Sequence, residues 1–381
     1  MTDFENILPL WRELESAGVD YVLATIVAVE GPSYRKPGAR MLLARDGRRA
    51  GTVSGGCLEG EVAQRAWWLT ESDPRVERYS TVPDDGEMPY GSGCGGVVYI
   101  LLERRATAAV LLTALEAAFH ARVPLAIATV LQGPKIGSRA FSRLLTEMTD
   151  DSQVDPLSSD LQNLADSACD RQLSLEKKIQ LDGINTRVWV DYRPARPGLW
   201  IFGAGDDAKP VVRLARGLGW FVAVSDGRAH LATRERFLEA DVVHALEISE
   251  LPAKVDGQLD LRPTDAAIVM THSFEQDSRI LAFFLRDSAD LPVAYLGVLG
   301  PQRRTRDMLA EAARLLDRPN PDDRAEHWLA QLHAPTGLDL GAETPATIAL
   351  SILAEIQQVL AAATAQPLRE VRAARVEVAQ P

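Results

Sequence analysis

Two of the three cysteines in this chain lie in glycine-rich segments. Cys57 follows Ser-Gly-Gly within residues 51–60, and Cys94 has glycines on both sides within residues 91–96. A thiolate is a nucleophile and a soft metal ligand, and glycine-rich turns expose backbone amides to anions. Tight turning alone would explain one such segment equally well, but two matched segments favour a binding site.

The segment around Cys57 is predicted to join a strand to a helix. Residues 52–53 are β-branched and suit a strand, and residues 54–56 (Ser-Gly-Gly) interrupt it. Residues 59–69 then have the composition of a helix. Cys57 is therefore expected near a helix N-terminus, where free amides and the positive end of the helix dipole lower the pKa of a thiol and attract anions.

A polar segment at residues 30–40, here called the basic loop, carries Arg35, Lys36 and Arg40 with two prolines and two glycines. Three cations beside a rigid turn are typical of an anion-binding clamp. The alternative is a solvated hairpin loop whose charges face water.

The second half of the chain contains the pattern Gly203-x-Gly205-x-x-Ala208 between a predicted strand at 199–202 and a predicted helix. Asp226 ends the next predicted strand about 20 residues on, where dinucleotide-binding domains carry the carboxylate that contacts ribose. This context predicts binding of a nucleotide or a related ligand. The alternative is a Rossmann-like fold whose glycine turn is only structural.

Asp206 and Asp207 follow the second glycine of this pattern. Two carboxylates at a helix start would repel a pyrophosphate unless a metal ion or Lys209 offsets their charge. Acidic residues are also common helix caps. Both explanations remain open on the sequence.

Two further candidates follow predicted strands of the second half. His272 comes after the strand at 265–270, and Arg303 and Arg304 come after the strand at 294–298. Ligands of parallel α/β sheets bind beyond the carboxyl ends of the strands. Paired arginines at a helix start oppose the helix dipole, which an anionic ligand would resolve.

The elements that position these residues fall into two domains. The first half is predicted to be a mixed α+β domain (residues 1–192), and the strand–helix alternation of the second half predicts a doubly wound, parallel-sheet domain (residues 198–365) followed by a tail (366–381). Residues 193–197 are expected to link the two. Residues 71–90 are expected to form turns, and residues 141–180 a polar segment with helical pieces. Strands are expected at 21–29, 41–44, 50–53, 97–102, 125–131, 186–192, 199–202, 221–226, 240–243, 265–270 and 294–298, and helices at 4–17, 59–69, 107–121 and 345–363, and after 207, 276 and 301.

Composition excludes several classes of protein. The 381 residues carry a net charge of −12, which argues against a general binder of nucleic acid or anionic membranes. Three cysteines are too few for a disulfide framework, and the first ten residues lack the basic start of a signal peptide. No apolar run approaches the ~20 residues that span a bilayer. We therefore expect a cytoplasmic protein.

The motifs of zinc sites, serine hydrolases and P-loop enzymes are absent from the sequence.

The two halves together resemble the XdhC/CoxI family of molybdenum-cofactor chaperones, the maturation factors of xanthine dehydrogenase-type enzymes. The matching segments of the first half are residues 28–40, 51–60 and 93–96. Those of the second half are residues 201–205, 269–273, 295–300, 333–341 and 344–355. Residues 141–190 and the tail are not covered by the resemblance.

The resemblance implies a chaperone rather than an enzyme. It implies binding of the molybdenum cofactor, protection of its sulfurated form and delivery to an apo-molybdoenzyme, with a cysteine desulfurase as a further partner and a homodimer as the expected assembly. Cys57 and Cys94 are the expected molybdenum ligands, since thiolate is a suitable soft donor. The candidate cofactor-binding residues are Arg35, Lys36, Arg40, Ser54, Gly55, Gly56, Cys57, Glu59, Cys94, Gly203, Gly205, Asp226, His272 and Arg303.

One position departs from the family pattern, because many members have His where this chain has Asp206. This departure puts in doubt any role of that histidine and is compatible with a subgroup serving a carbon monoxide dehydrogenase-type client. Two other functions compete with the chaperone. One is an NAD(P)-dependent oxidoreductase that uses Gly203, Gly205 and Asp226, and the other is a structural assembly factor with a vestigial Rossmann domain.

Overall fold

The computed structural model describes residues 2–56, 58–80, 95–133, 135–143, 159–181, 183–246, 248–250, 259–286 and 291–371. The chain divides into two compact units, Met1–Arg196 (unit 1) and Pro197–Pro381 (unit 2). The expected linker at residues 193–197 contains this division. In the described parts of the chain, no helix has the length and apolar character needed to cross a membrane.

Unit 1 contains two antiparallel sheets, with strand orders β3-β2-β1-β5-β4 and β7-β6-β9-β8. Its described elements are α1 (Thr2–Ser16), β1 (Tyr21–Glu30), β2 (Arg40–Ala44), β3 (Arg49–Gly51), α2 (Glu59–Leu69), β4 (Arg75–Ser80), β5 (Val97–Arg104), α3 (Arg105–Ala121), β6 (Leu125–Val130), β7 (Arg139–Phe141), α4 (Ser159–Arg171), β8 (Leu175–Leu181) and β9 (Ile184–Arg193).

The apolar run of β1 is buried on both faces of the first sheet. Tyr21 and Leu23 pack with α1 and α3 on one face, whereas Val22 and Ile26 pack with α2 on the other. Because side chains alternate between faces along a strand, burial on both sides requires an uninterrupted apolar sequence. This core fixes the strand that leads into the basic loop.

Helix α3 lies between the two sheets of unit 1. Leu111 and Leu115 of α3 share a core with Leu125 and Ile127 of β6. The opposite face of β6 packs against α4. The second sheet is thereby covered on both faces within unit 1.

Two buried ion pairs also join these sheets. Arg40 of β2 donates to Asp191 of β9 at 2.9 Å, and Arg139 of β7 donates to Glu103 of β5. Burial, assisted by the nearby Arg193 charge, lowers the pKa of Arg40 to about 10, so this group stays charged at pH 7. Breaking such a pair is costly, since the remaining charge is left buried.

Three strands of unit 1 were not predicted from the sequence: the short strand β7, which pairs with β6, and the two charged edge strands β4 and β8. β4 forms within the expected turn region and pairs with β5, and β8 forms within the expected polar segment and pairs with β9. Both lie at the edge of a sheet and carry many charged side chains. Local patterns indicate such strands weakly, because their pairing partners decide the conformation.

Unit 2 has a parallel sheet, as the sequence predicted, and its five strands lie in the order β12-β11-β10-β13-β14. Its described elements are β10 (Gly198–Phe202), α5 (Ala208–Gly217), β11 (Phe221–Asp226), β12 (Val242–Ala245), a short 3₁₀ turn (Ile248–Glu250), β13 (Ala266–Val269), α6 (Phe274–Leu285), β14 (Tyr295–Val298), α7 (Gln302–Leu315), α8 (Pro321–Leu329) and α9 (Pro345–Leu360). Leu199 and Ile201 pack with α5 and α9, whereas Trp200 and Phe202 pack with α6, α7 and α8. Because the five strands are parallel, they all end at one edge of the sheet, here called the carboxyl edge.

Candidate functional site

Three segments that the sequence singled out lie side by side in unit 1. A methyl group built on Gly96 would lie 2.0 Å from the carbonyl oxygen of Pro32, and one built on Gly31 would lie 3.6 Å from the oxygen of Gly95. A methyl group built on Gly55 would lie 3.8 Å from the Tyr34 ring. The basic loop therefore packs on the Gly95–Gly96 backbone and on the turn at residues 52–56, which precedes Cys57 in the sequence and is here called the Cys57 turn.

The Cys57 turn is organised by the Glu59 carboxylate. Its Oε1 atom accepts from the Ser54 amide at 2.7 Å and from the Thr52 hydroxyl at 2.5 Å, and its Oε2 atom accepts from the Ser54 hydroxyl. The Ser54 hydroxyl oxygen in turn accepts hydrogen bonds from the amides of Gly56 and Leu58, both at 3.1 Å. The buried Glu59 carboxylate thus stabilises the conformation of the turn.

This network explains Ser54 and Glu59 as residues that shape the turn. Both are buried, whereas Gly55 and Gly56 are exposed. Burial raises the pKa of Glu59, but the hydrogen bonds from Ser54 and Thr52 outweigh it and leave the pKa below its ordinary value. The first turn of α2 therefore already contains a protein carboxylate, which works against the anion site expected from the helix dipole alone.

The three cations of the basic loop occupy different environments. Lys36 is exposed and Arg35 is half-buried. Arg40 is 4% exposed and donates a hydrogen bond to Asp191, so its charge is paired inside unit 1. Arg40 is better explained as a structural residue, and Lys36 is an exposed cation of the basic loop.

The cysteines Cys57 and Cys94 lie outside the described residues, so their predicted ligand roles remain predictions. Cys169 is partly packed on the core of α4, and burial raises the pKa of its thiol. Within the described ranges, no three His, Cys, Asp or Glu side chains are grouped as metal ligands.

In unit 2 the glycine turn follows β10, between strand and helix as predicted. Gly203 has a φ of 137°, and a methyl group built on it would lie 2.5 Å from the carbonyl oxygen of Met270. Glycine is therefore required here by close packing between two loops of unit 2. Gly205 lies in the same turn, where an added methyl group would lie 2.4 Å from the Asp207 carboxylate.

Asp226 lies at the end of β11, as predicted, but is fully buried. Its carboxylate accepts from the Ala204 amide at 2.7 Å and from the Arg228 amide at 2.8 Å. The Arg228 guanidinium donates to both carboxylate oxygens. These contacts occupy the group that the dinucleotide hypothesis assigned to a ribose hydroxyl.

The two carboxylates that follow Gly205 are both paired. Asp206 contacts Lys209 at 2.7 Å and Arg236 at 3.1 Å, and its hydrogen bond from Lys209 lowers its pKa. Asp207 contacts His272 Nε2 at 2.7 Å. Lys209 therefore offsets one charge, and Asp207 makes no side-chain cap hydrogen bond to the helix. His272 has a φ of 64°, unusual for a residue with a side chain.

Arg303 and Arg304 differ although they are adjacent. Arg304 donates to the buried Asp277 at 2.7 Å, whereas Arg303 is exposed. Consecutive residues on a helix point about 100° apart, so only one of them can face Asp277. Arg228 and Asp277 were not indicated by the sequence, because each is identified only by its partner across the fold.

A further polar cluster in unit 2 explains the motif at residues 333–341. The Glu355 carboxylate accepts from the Tyr295 hydroxyl at 2.6 Å and from the Gly337 amide at 2.7 Å, and lies 3.1 Å from His333 Nδ1. The His333 and Tyr295 rings stack with centroids 4.2 Å apart. The cluster fixes this segment onto α9.

Two family models match the chain. The XdhC Rossmann domain matches residues 199–356, and the XdhC and CoxI family matches residues 14–80. The predicted family resemblance and the predicted Rossmann-like fold of the second half are confirmed by these matches.

Relatives match over nearly the whole chain. A Bacillus subtilis (strain 168) protein named as a probable subunit of xanthine dehydrogenase is 30% identical over 345 residues, which cover 88% of this chain and 92% of that protein. The Escherichia coli (strain K12) protein named molybdenum cofactor insertion chaperone PaoD is 24% identical over 367 residues, 94% of this chain and 89% of that protein. A crystal structure described as a xanthine dehydrogenase from Bacillus halodurans has a TM-score of 0.69 at 29% identity and covers 96% of this chain and 98% of that one.

Proposed function

Because the chain belongs to the XdhC and CoxI family, we propose that it binds the molybdenum cofactor as cargo and inserts it into a molybdoenzyme of the xanthine dehydrogenase or carbon monoxide dehydrogenase type. The name of the PaoD relative, a molybdenum cofactor insertion chaperone, supports this activity. The cargo is held in sulfurated form, and a cysteine desulfurase and self-association as a homodimer belong to the same proposal.

The observation that carries the proposal is the meeting of three segments in unit 1. The basic loop packs on the Gly95–Gly96 backbone and on Gly55 of the Cys57 turn. This arrangement brings cations and exposed glycine backbone to one place in a chain whose net charge is −12. Local positive charge on an acidic protein favours a small anionic ligand over a polyanion.

The cofactor has three chemically different parts, and the site offers a group for two of them. Arg35 and Lys36 would contact the phosphate, since cations near a rigid loop bind phosphate oxygens strongly. Cys57 and Cys94 would ligate or shield molybdenum as thiolates. In this proposal Glu59 acts on the cargo indirectly, by shaping the turn that precedes Cys57 in the sequence.

The dinucleotide alternative is disfavoured because Asp226 has no oxygen free of protein donors. An NAD(P)-dependent oxidoreductase would need that carboxylate for its ribose. This alternative is tested by titrating the protein with NAD and NADP and monitoring its tryptophan fluorescence. Saturable binding that Asp226→Asn abolishes would revive it.

The decisive experiment is anaerobic equilibrium binding of purified molybdenum cofactor to the full chain. Wild type should bind at micromolar protein, Cys57→Ala should weaken binding, and Cys169→Ala should not, because Cys169 packs on another core. No binding by wild type would refute the proposal. Full affinity in both Cys57→Ala and Cys94→Ala would refute the thiolate ligands alone.

A double variant and a matched double control test the phosphate contact. Replacing Arg35 and Lys36 by glutamine should weaken binding and reduce its dependence on salt. The matched control replaces Lys177 and Lys178, which are exposed on the edge strand β8, and should bind as wild type. Insertion is then measured as activity recovered by an apo-molybdoenzyme given loaded chaperone.

A further inference from the structure

Tyr34 is the residue of the basic loop whose side chain is unexplained by the fold. Its side chain is a large apolar group with 72% of its surface exposed, and it is followed directly by Arg35 and Lys36. Its ring lies next to Gly55, where a methyl group would lie 3.8 Å from both Cγ and Cδ1. The ring thus lies beside the Cys57 turn with most of its surface open to solvent.

The backbone that carries Tyr34 is held on both sides. Before it, the Pro32 carbonyl packs on Gly96 so closely that a methyl group there would lie 2.0 Å away. After it, the Ser33 hydroxyl donates to the Arg35 carbonyl at 2.9 Å, and the Gly38 amide donates to the Ile26 carbonyl at 2.7 Å. A ring on a fixed backbone loses little conformational freedom when it binds a ligand.

We propose that Tyr34 stacks against the pterin ring of the molybdenum cofactor, an inference that rests on the proposed function. The pyrimidine ring of the pterin is planar and has a π-face, and an exposed aromatic side chain offers a complementary surface to it. Stacking of a planar base on an aromatic side chain changes affinity by about one to two orders of magnitude. Tyr34 supplies this third contact beside the two charged ones, and the pterin stacks on the part of its ring surface that is open to solvent.

The test compares Tyr34→Ala and Tyr34→Phe in anaerobic binding of purified cofactor. Stacking predicts about a tenfold loss for the alanine variant and near-wild-type affinity for phenylalanine, which keeps the ring. Trp68→Ala is the matched control, since Trp68 is a 58% exposed aromatic residue at the far end of α2. It should bind as wild type.

Free pterin, which has neither phosphate nor metal, provides a second readout. Its fluorescence anisotropy should rise with wild type and with Tyr34→Phe at protein concentrations at which Tyr34→Ala gives no rise, because only the first two keep the ring on which the pterin stacks. A merely structural role of Tyr34 would not produce this signature.

The outcomes separate the two proposals. Cofactor binding by wild type with unchanged affinity in Tyr34→Ala overturns the stacking inference and leaves the chaperone intact. Equal losses in Tyr34→Ala and Tyr34→Phe also overturn it, because the hydroxyl and not the ring would then be the contact. A wild-type chain with no affinity for the cofactor refutes the proposed function, and the stacking inference falls with it.

Discussion

The Glu59 carboxylate should be the main support of the Cys57 turn, and Glu59→Gln tests this. Glutamine keeps an acceptor oxygen in place of Oε1, which serves the Ser54 amide and the Thr52 hydroxyl. It places an amide donor in place of Oε2, opposite the Ser54 hydroxyl oxygen, which already accepts two backbone amides. The Ser54 hydroxyl proton then loses its acceptor.

The expected loss follows from the contacts. A hydrogen bond to a charged group contributes about 1.5–3 kcal/mol. Glu59→Gln removes one such bond and weakens two, so the turn should open about 10- to 150-fold more often, at tenfold per 1.4 kcal/mol. Glu59→Ala removes all three and should cost more.

Hydrogen–deuterium exchange of peptides spanning residues 52–62 measures this local opening. Glu61→Gln is the matched control, because Glu61 lies in the same helical turn and pairs with Arg65 at 3.0 Å on a partly exposed surface. Such pairs contribute less than about 1 kcal/mol. Equal exchange in the two glutamine variants would refute the role of Glu59.

The pH dependence gives an independent check. The pKa of Glu59 in the folded chain lies below its ordinary value, so its stabilisation is complete above about pH 4.3 and is lost as pH falls through the folded pKa. After correction for intrinsic exchange rates, the difference between wild type and Glu59→Gln should vanish on acidification. A difference that persists at low pH would contradict the ionised carboxylate as its cause.

Three further outcomes test other parts of the chain. Gly96→Ala should weaken cofactor binding because its new Cβ would lie 2.0 Å from a carbonyl oxygen of the basic loop, whereas Gly55→Ala, with an ordinary 3.8 Å contact, should retain binding in the same assay. Arg139→Met should lower the free energy of unfolding in urea by about 3–5 kcal/mol by leaving Glu103 buried and unpaired, and adding Glu103→Leu should recover most of the loss. Glu355→Gln should lower Tm at pH 7, and this deficit should shrink as the pH falls below about 4.3 and through the folded pKa, because the hydrogen bonds to Glu355 outweigh burial and hold its pKa below the ordinary value.

Regular elements with a strong local pattern could be predicted from the sequence. The helix at Glu59–Leu69 and the strands of unit 2 formed within a few residues of their expected bounds. Their apolar periodicity is a property of neighbouring residues, so it is visible without the fold. The edge strands β4 and β8 could not be predicted in this way, since they depend on β5 and β9 for their pairing.

The candidate site was only partly predictable. The sequence identified the basic loop, the glycine turns and the fingerprint of unit 2, because the residue types themselves carry that information. It gave no sign that Arg40 would form an ion pair with Asp191, 151 residues away, or that Tyr34 would lie beside Gly55. Residue type fixes which chemistry a side chain can perform, and this much the sequence determined by itself. Whether a charge is free or already paired depends on residues distant in the chain, and only the tertiary structure decided that.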